Sequence, residues 1–179
     1  PMSVQPDQPP VLAERKGAVC VITLNRPHVS NAMNAEGSYL VDRYVREAEA
    51  DPEVGAIILT AAGDKAFCAG MDLKEAAERG AGHGLVPGAG FCGVTERAIE
   101  KPVIGAINGW AAGAGFYIML TSTDIRVACE EHARFKFALL SQGWVGGGPG
   151  ATYLTRQIAH ADAMRILLTD EAFDAKEAL

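Results

Sequence analysis

The chain has 179 residues, the size of one domain with room for a sizeable core, and its 49% hydrophobic content argues against disorder. A net charge of -6 arises from scattered Glu and Asp without a Lys/Arg cluster, so the electrostatic footprint of a nucleic-acid binder is missing, while a small anionic ligand that responds to local donors is not excluded. Four cysteines, Cys20, Cys68, Cys92 and Cys129, are widely spaced with no CxxC pair, a pattern that argues against a disulfide framework or a zinc site and suits reduced thiols in a cytoplasmic protein.

Residues 1–18 begin "PMSVQPDQPP", without a basic start, an apolar central region or a cleavage pattern, and predict a flexible leader, not a signal peptide. Gly, Asn and Thr interrupt every apolar run before it reaches the ~20 residues of a membrane helix, so no membrane partner is expected. Residues 19–179 read as the folded core. "VCVITL", Val19 to Leu24, is a strand stopped by Asn25-Arg26-Pro27. From Ala35 to Ala50, Leu40, Val41, Tyr44, Val45 and Ala48 recur at intervals of three and four behind Asn34, a candidate N-cap, and predict an amphipathic helix. "VGAIILT", Val54 to Thr60, is the continuous apolar run of a strand covered on both faces.

Asp72 to Arg79 carries the charges of a solvated helix, and Gly80 to Gly93 is by composition a mobile loop, read equally as a lid or pocket wall and as ordinary surface disorder. Val94 to Glu100 is expected as a short helix and Val103 to Ile107 as a strand. "NGWAAGAGFYIML" then passes through small residues into a buried helix that runs to Leu120. Ile125 to Ala128 predicts a strand, Ala151 to Ile158 and Ala161 to Thr169 predict helices, and "FDAKEAL" starts a further helix. The sequence carries no visible internal repeat. Strands alternating with helices indicate an α/β domain with largely parallel pairing.

Two places share one design, in which a strand ends, a small-residue turn follows and a helix begins. They are Ala69-Gly70-Met71-Asp72 and Ala112-Gly113-Ala114-Gly115. In such turns a ligand can approach the main chain, and the first helical amides are unpaired and partly positive. If the two converge, one N–H from each can hold an oxygen that turns negative during a reaction. Gly-rich turns of this kind are also common as simple caps.

"NRPHVSNAMN", "AFCAGMDLKE", "KPVIGAINGWAAGAGF" and "TDIRVACEEHARFKF", in that order and at those separations, resemble the enoyl-CoA hydratase/isomerase (crotonase) family from about Val19 to the last residue. The resemblance implies a spiral of ββα units, a homotrimer or dimer of trimers, and an acyl-CoA ligand whose thioester oxygen is held by two main-chain amides. Residue by residue, these are the amides of Met71 and Ala114. His28, Val29 and Ser30 match the loop along the nucleotide and pantetheine. Ala66, Ala69, Asp72, Leu73 and Lys74 match the strip where the adenine and its neighbouring groups rest, with Lys74 a phosphate partner. Coenzyme A enters as part of the substrate, and no tightly bound cofactor or metal is implied. The family continues beyond the point matching Leu179 into a helical segment, which is missing here.

The resemblance also marks a departure. Where family hydratases set two glutamates over the acyl group, this chain has Tyr117 and Leu139. Leucine transfers no proton, and a tyrosine with an ordinary pKa of about 10 is a poor base at neutral pH. The nearby stretch where other members place Asp or Ser reads Trp144, Gly146 and Gly147. His83 in the variable loop and Glu96 beyond it are the candidate substitutes, although both read first as plain surface groups. His132 and His160 lack metal-type spacing, and no G-x-G-x-x-G, phosphate-loop or G-x-S-x-G pattern is present. The expected function is enolate stabilisation on a CoA thioester by a lyase or isomerase, with a noncatalytic acyl-CoA binding or carrier protein as the alternative.

Overall fold

The computed structural model describes residues 8–80, 82–144 and 149–179. In chain order the strands are β1 Val11–Lys16, β2 Val19–Leu24, β3 Ala56–Ala61, β4 Ala66–Cys68, β5 Leu85–Val86, β6 Gly90–Phe91, β7 Val103–Ile107, β8 Trp110–Ala112, β9 Ile125–Ala128, β10 Arg134–Lys136 and β11 Phe173–Asp174. The helices are α1 Ala35–Ala50, α2 Leu73–Arg79, α3 Ala114–Ser122, α4 Pro149–Gln157 and α5 His160–Thr169, with 3-10 turns at Pro27–Val29 and Leu140–Gln142.

The strands form a five-stranded sheet ordered β1-β2-β3-β7-β9, a four-stranded sheet ordered β11-β10-β8-β4, and the small hairpin β5-β6. All pairings among β2, β3, β7 and β9, and among β4, β8 and β10, are parallel, as the alternation of strands and helices requires. A repeat hidden from the sequence is plain in the topology: β3-β4-α2 and β7-β8-α3 each send one strand to the large sheet, the next to the small sheet, and then a helix. The pair β9-β10 begins a third such unit. This is the α/β spiral of ββα units expected above.

The core lies between the sheets and the helices. Ile22 and Leu24 of β2, Ile57 and Leu59 of β3, and Val103 and Ile107 of β7 alternate inward, and Val41, Val45 and Ala48 of α1 cover them. Asn34 caps α1 as expected, accepting from the Gly37 N–H at 2.9 Å. Helix α3 is apolar all round because it runs through this core, with Phe116, Ile118, Met119 and Leu120 buried. Its last carbonyls, at Met119 and Leu120, accept from the Arg126 guanidinium.

Four expectations are corrected. The flexible leader over 1–18 holds β1, since residues 11–16 pair antiparallel with all of β2 and bury Val11; residues 1–7 lie outside the described residues. The mobile loop over 80–93, apart from Ala81, contains the hairpin β5-β6, anchored where the Cys92 N–H donates to Ser38 Oγ at 2.8 Å. Residues 94–100 form no helix, because their polar groups reach outside the segment: the Glu96 N–H donates to Ala89 O, and Arg97 pairs with Glu49 at 2.7 Å. The segment from Phe173 opens as β11, with Phe173 opposite Phe135, before a turn capped by Asp174.

Candidate active site

The first small-residue turn leaves β4 at Cys68, where the pairing with β8 slips by a residue. Gly70 follows at φ +100°, and a Cβ there would sit 2.9 Å from the Ala114 nitrogen and 3.1 Å from the Ala112 carbonyl oxygen. Glycine is required both by the dihedral and by this approach of the second turn. Met33 clamps the turn from the other side: its N–H donates to Gly70 O at 2.8 Å, and its carbonyl accepts from the Asp72 N–H at 2.9 Å. Between those bonds the Met71 N–H takes part in none among the described residues.

The second turn leaves β8 at Ala112, crosses Gly113 at φ +54°, and enters α3 at Ala114. Ala114 itself has an ordinary dihedral, so its side chain strains nothing. The Gly113 N–H donates to Lys136 O at 3.2 Å and its carbonyl accepts from the Tyr117 N–H, but the Ala114 N–H has no acceptor among the described residues. A Cβ on Gly115 would run into the Cys68 carbonyl. The two turns are therefore in direct contact, Gly70 against Ala114 and Gly115 against Cys68, and each contributes an unused main-chain donor. Two main-chain donors that converge can serve one acceptor atom without any charged side chain.

Tyr117 lies one turn into α3, tilted against Phe137 with ring centroids 5.4 Å apart and overlain by Gly150 of α4, where a Cβ would enter the ring. Burial pushes its phenol up to about 12, so it carries its proton at neutral pH. Leu139 packs partly buried against the same core and Trp144 is exposed; Gly146 and Gly147 lie outside the described residues. The loop Leu139–Gln142 is set by Asp170, whose carboxylate accepts from the Ser141 N–H at 2.9 Å and from the Ala138 N–H. Burial works against the Asp170 charge, but those donors outweigh it and hold the carboxyl below its ordinary range.

The residues matched to a CoA strip are drawn together by main-chain bonds. Ala69 N–H donates to Ser30 O at 3.0 Å, which ties the 3-10 turn Pro27–Val29 to the Gly70 turn. His28, Val29, Ala69, Leu73 and Lys74 are exposed, Ser30 and Asp72 are half-buried, and Ala66 is buried, so Ala66 presents no side-chain surface to a ligand. Asp72 has structural duties: it accepts from the Lys74 and Glu75 N–H groups as N-cap of α2 and pairs with Arg26 at 2.8 Å, each side chain only 16% exposed. Burial raises the Asp72 carboxyl, but the Arg26 bond and the capping donors prevail and lower it. Arg26 also reaches Ala32 O, and Asn31, at φ +54°, accepts from the Arg26 N–H and donates to Ala62 O and Ala66 O. Nothing in the spacing of Arg26, Asn31 and Asp72 announces this network.

The alternative proton carriers stand apart from the turns or are otherwise engaged. His83 is not at the surface: its side chain is 3% exposed, with Nδ1 2.9 Å from Gly80 O and Nε2 3.2 Å from Glu75, a distance of ion pairing without hydrogen-bond alignment. Glu96, His132 and His160 are exposed. Among the described residues no group of His, Cys, Asp and Glu has the arrangement of a metal site, and no helix is long and apolar enough to cross a membrane. An open depression of about 610 Å³ lined by Cys129, Glu130, Glu131, Arg134, Asp174 and Lys176 contains none of the turn residues.

Residues 14–179 match the family model for enoyl-CoA hydratase/isomerase. The chain is 39% identical over 171 residues to a short-chain-enoyl-CoA hydratase from Clostridium acetobutylicum, covering 94% of this chain and 65% of that protein. It is 36% identical over 165 residues to a carnitinyl-CoA dehydratase from Proteus mirabilis, covering 92% and 62%. A solved structure of a carnitinyl-CoA dehydratase from Mycobacterium avium superposes with a TM-score of 0.87 at 43% identity, over 96% of this chain and 66% of that one. The chain thus spans about two thirds of the length of these relatives. With the ββα spiral, the two abutting turns and these likenesses together, the chain belongs to the enoyl-CoA hydratase/isomerase family and has the crotonase fold.

Proposed function

We propose that this chain binds an acyl-CoA thioester and polarises its carbonyl through the N–H groups of Met71 and Ala114, in the manner of a lyase or isomerase that passes through an enolate. The observation that supports this reading is the contact of the two turns, each of which carries an amide without an acceptor among the described residues. Preorganised donors of this kind are worth much more in a water-excluded site than in solution, and removing one costs roughly 100- to 1000-fold in rate in well-studied cases. The Ala114 amide heads a buried helix and adds its share of that helix's positive end. The coenzyme A portion would lie along His28, Val29 and Ser30 and across Ala69, Leu73 and Lys74, with Asp72 fixing the strip from beneath. Coenzyme A is substrate in this reading, the site takes no further cofactor, and the assembly is the family's homotrimer or dimer of trimers in the cytoplasm.

Ordinary hydration is not part of the reading. Tyr117 keeps its proton and Leu139 has none to exchange, so neither can activate water as a carboxylate does. Those same two residues favour a second reading, an acyl-CoA binding or carrier protein without turnover. Calorimetry with a panel of acyl-CoAs, joined to product analysis by mass spectrometry, separates the two: binding with product selects the enzyme, and binding without product the carrier. Crotonyl-CoA hydration is expected near background. The double variant Tyr117→Glu, Leu139→Glu is expected to raise it, and hydration at ordinary enzymatic rates by the unchanged chain would defeat the acid/base argument.

A further inference from the structure

Cys68 is buried beneath the first turn, and its sulfur meets both polar groups of Gly70. The Gly70 N–H donates to Cys68 Sγ at 3.3 Å, and the thiol lies 3.8 Å from Gly70 O, the same oxygen that accepts from the Met33 N–H at 2.8 Å. We propose that the Cys68 thiol is a positioning residue that holds the Gly70 peptide so that the Met71 N–H stays aimed at the acyl oxygen. The inference rests on the amide reading above.

The geometry follows from the peptide bond. The Gly70–Met71 unit is planar and trans, so its C=O and its N–H point to opposite edges of one plane. Whatever fixes Gly70 O fixes the direction of the Met71 N–H. Met33 grips that oxygen with one bond, about which the plane can still pivot. Gly70, without a Cβ, offers the least intrinsic resistance to such a pivot, and it sits at φ +100° where other residues rarely go. The sulfur supplies a second contact to that oxygen through a longer S–H···O approach, and its N–H···S bond with Gly70 holds the preceding Ala69–Gly70 peptide, so the turn is gripped on both sides of the Gly70 Cα. The S–H···O contact needs a neutral thiol, which can donate while it accepts from the Gly70 N–H, and burial keeps it so by pushing the group up to about 12. The position is also where the second turn presses in, because Gly115 packs on the Cys68 carbonyl. One residue therefore touches the element behind each donor.

The test uses the full chain and butyryl-CoA carrying ¹³C at the thioester carbonyl, a saturated probe that reports polarisation without turnover. Isotope-edited infrared spectra are recorded for the unchanged protein, Cys68→Ser, Cys68→Ala and Cys68→Val, with calorimetry of butyryl-CoA and of free coenzyme A alongside. The carbonyl band is expected to move to lower frequency on binding to the unchanged protein and to stay there in the serine variant, whose hydroxyl accepts and donates as the thiol does. Alanine removes both contacts, and valine fills the space without a polar hydrogen, so that either remains informative if the other fails to fold. Both should lose most of the band shift and about tenfold in butyryl-CoA affinity, the loss of one ordinary hydrogen bond, while free coenzyme A binds within about twofold of before. An unshifted response in alanine or valine, with the band where the unchanged protein puts it, overturns the assignment. So does an equal fall in affinity for butyryl-CoA and for coenzyme A, which would mark a general structural role. Absence of any band shift in the unchanged protein at saturation defeats the amide reading itself, and the Cys68 role falls with it.

Discussion

The turn at Gly70 is tied down by polar groups, whereas the turn at Gly113 is wedged in place by packing. Around Gly70, the bonds from Met33, Cys68 and Asn31 and the Arg26–Asp72 pair form a mesh at the edge of the fold. Around Gly113, main-chain bonds to Lys136 and Tyr117 are joined by the closeness of Gly115 to Cys68 and the burial of Phe116, Ile118 and Met119 in α3, with no side-chain hydrogen bond capping the helix. The difference has a physical cause. Helix α2 is short and has no buried residue, so only directional bonds can fix its start, while α3 passes through the core and is located by its own side chains. Changes of charge or polarity should therefore damage the first turn more than the second, whose helix is located by packing.

The largest effect is expected from Gly115→Ala. The new methyl group would occupy the Cys68 carbonyl, and neither main chain can yield without opening the contact between the turns. Overpacking of this kind costs about 3 kcal/mol when rigid atoms are involved, so the urea midpoint should fall sharply and acyl-CoA binding should be lost with it. A variant as stable as the unchanged chain would mean that the turns do not abut.

A smaller, pH-dependent effect should mark the polar turn. The Asp72 carboxyl is held below its ordinary value of 3.8 in the folded chain, so its contribution is complete above that value and fades as pH falls through the lower, folded one. Asp72→Asn keeps a cap but discards the charge facing Arg26, and about 1 kcal/mol should disappear at pH 7. Denaturation curves of the two proteins should then converge in strong acid. A constant gap at every pH would assign the loss to packing and not to the ion pair.

How much of this could be read from the residues depends on how local the cause is. The large sheet was open to reading because β2, β3, β7 and β9 are runs of four to six residues with apolar or β-branched character. The small sheet was not: Ala66–Cys68, Trp110–Ala112 and Arg134–Lys136 are three residues each, too short to show alternation, and exist because neighbouring units of the spiral bring them side by side. β1 was hidden for a related reason, since "VLAERK" buries only Val11 and is a strand through its ladder with β2. In the site, the glycines of both turns stood out because chain conformation is written in residue type. The thiol on Gly70, the Arg26–Asp72 pair and the burial of His83 depend on groups many residues apart, and no periodicity encodes them.

The smallest effect belongs to Lys74, which lies on the exposed side of the polar turn. Its N–H serves the Asp72 cap, but its ammonium makes no ion pair among the described residues, so under the proposed reading it would meet a phosphate of coenzyme A. Because the capping bond uses the main chain, Lys74→Ala should leave stability within about 0.5 kcal/mol of the unchanged chain. Binding is another matter: an exposed ammonium near a multiply charged phosphate group would add attraction that salt screens over a Debye length of about 10 Å at 0.1 M. Coenzyme A should therefore bind several-fold more weakly to the variant at low ionic strength, and the two proteins should converge as salt is raised. If calorimetry finds the same affinity at every salt concentration, the phosphates lie elsewhere, and the ligand strip would have to be redrawn toward His28 while the paired amides keep their place.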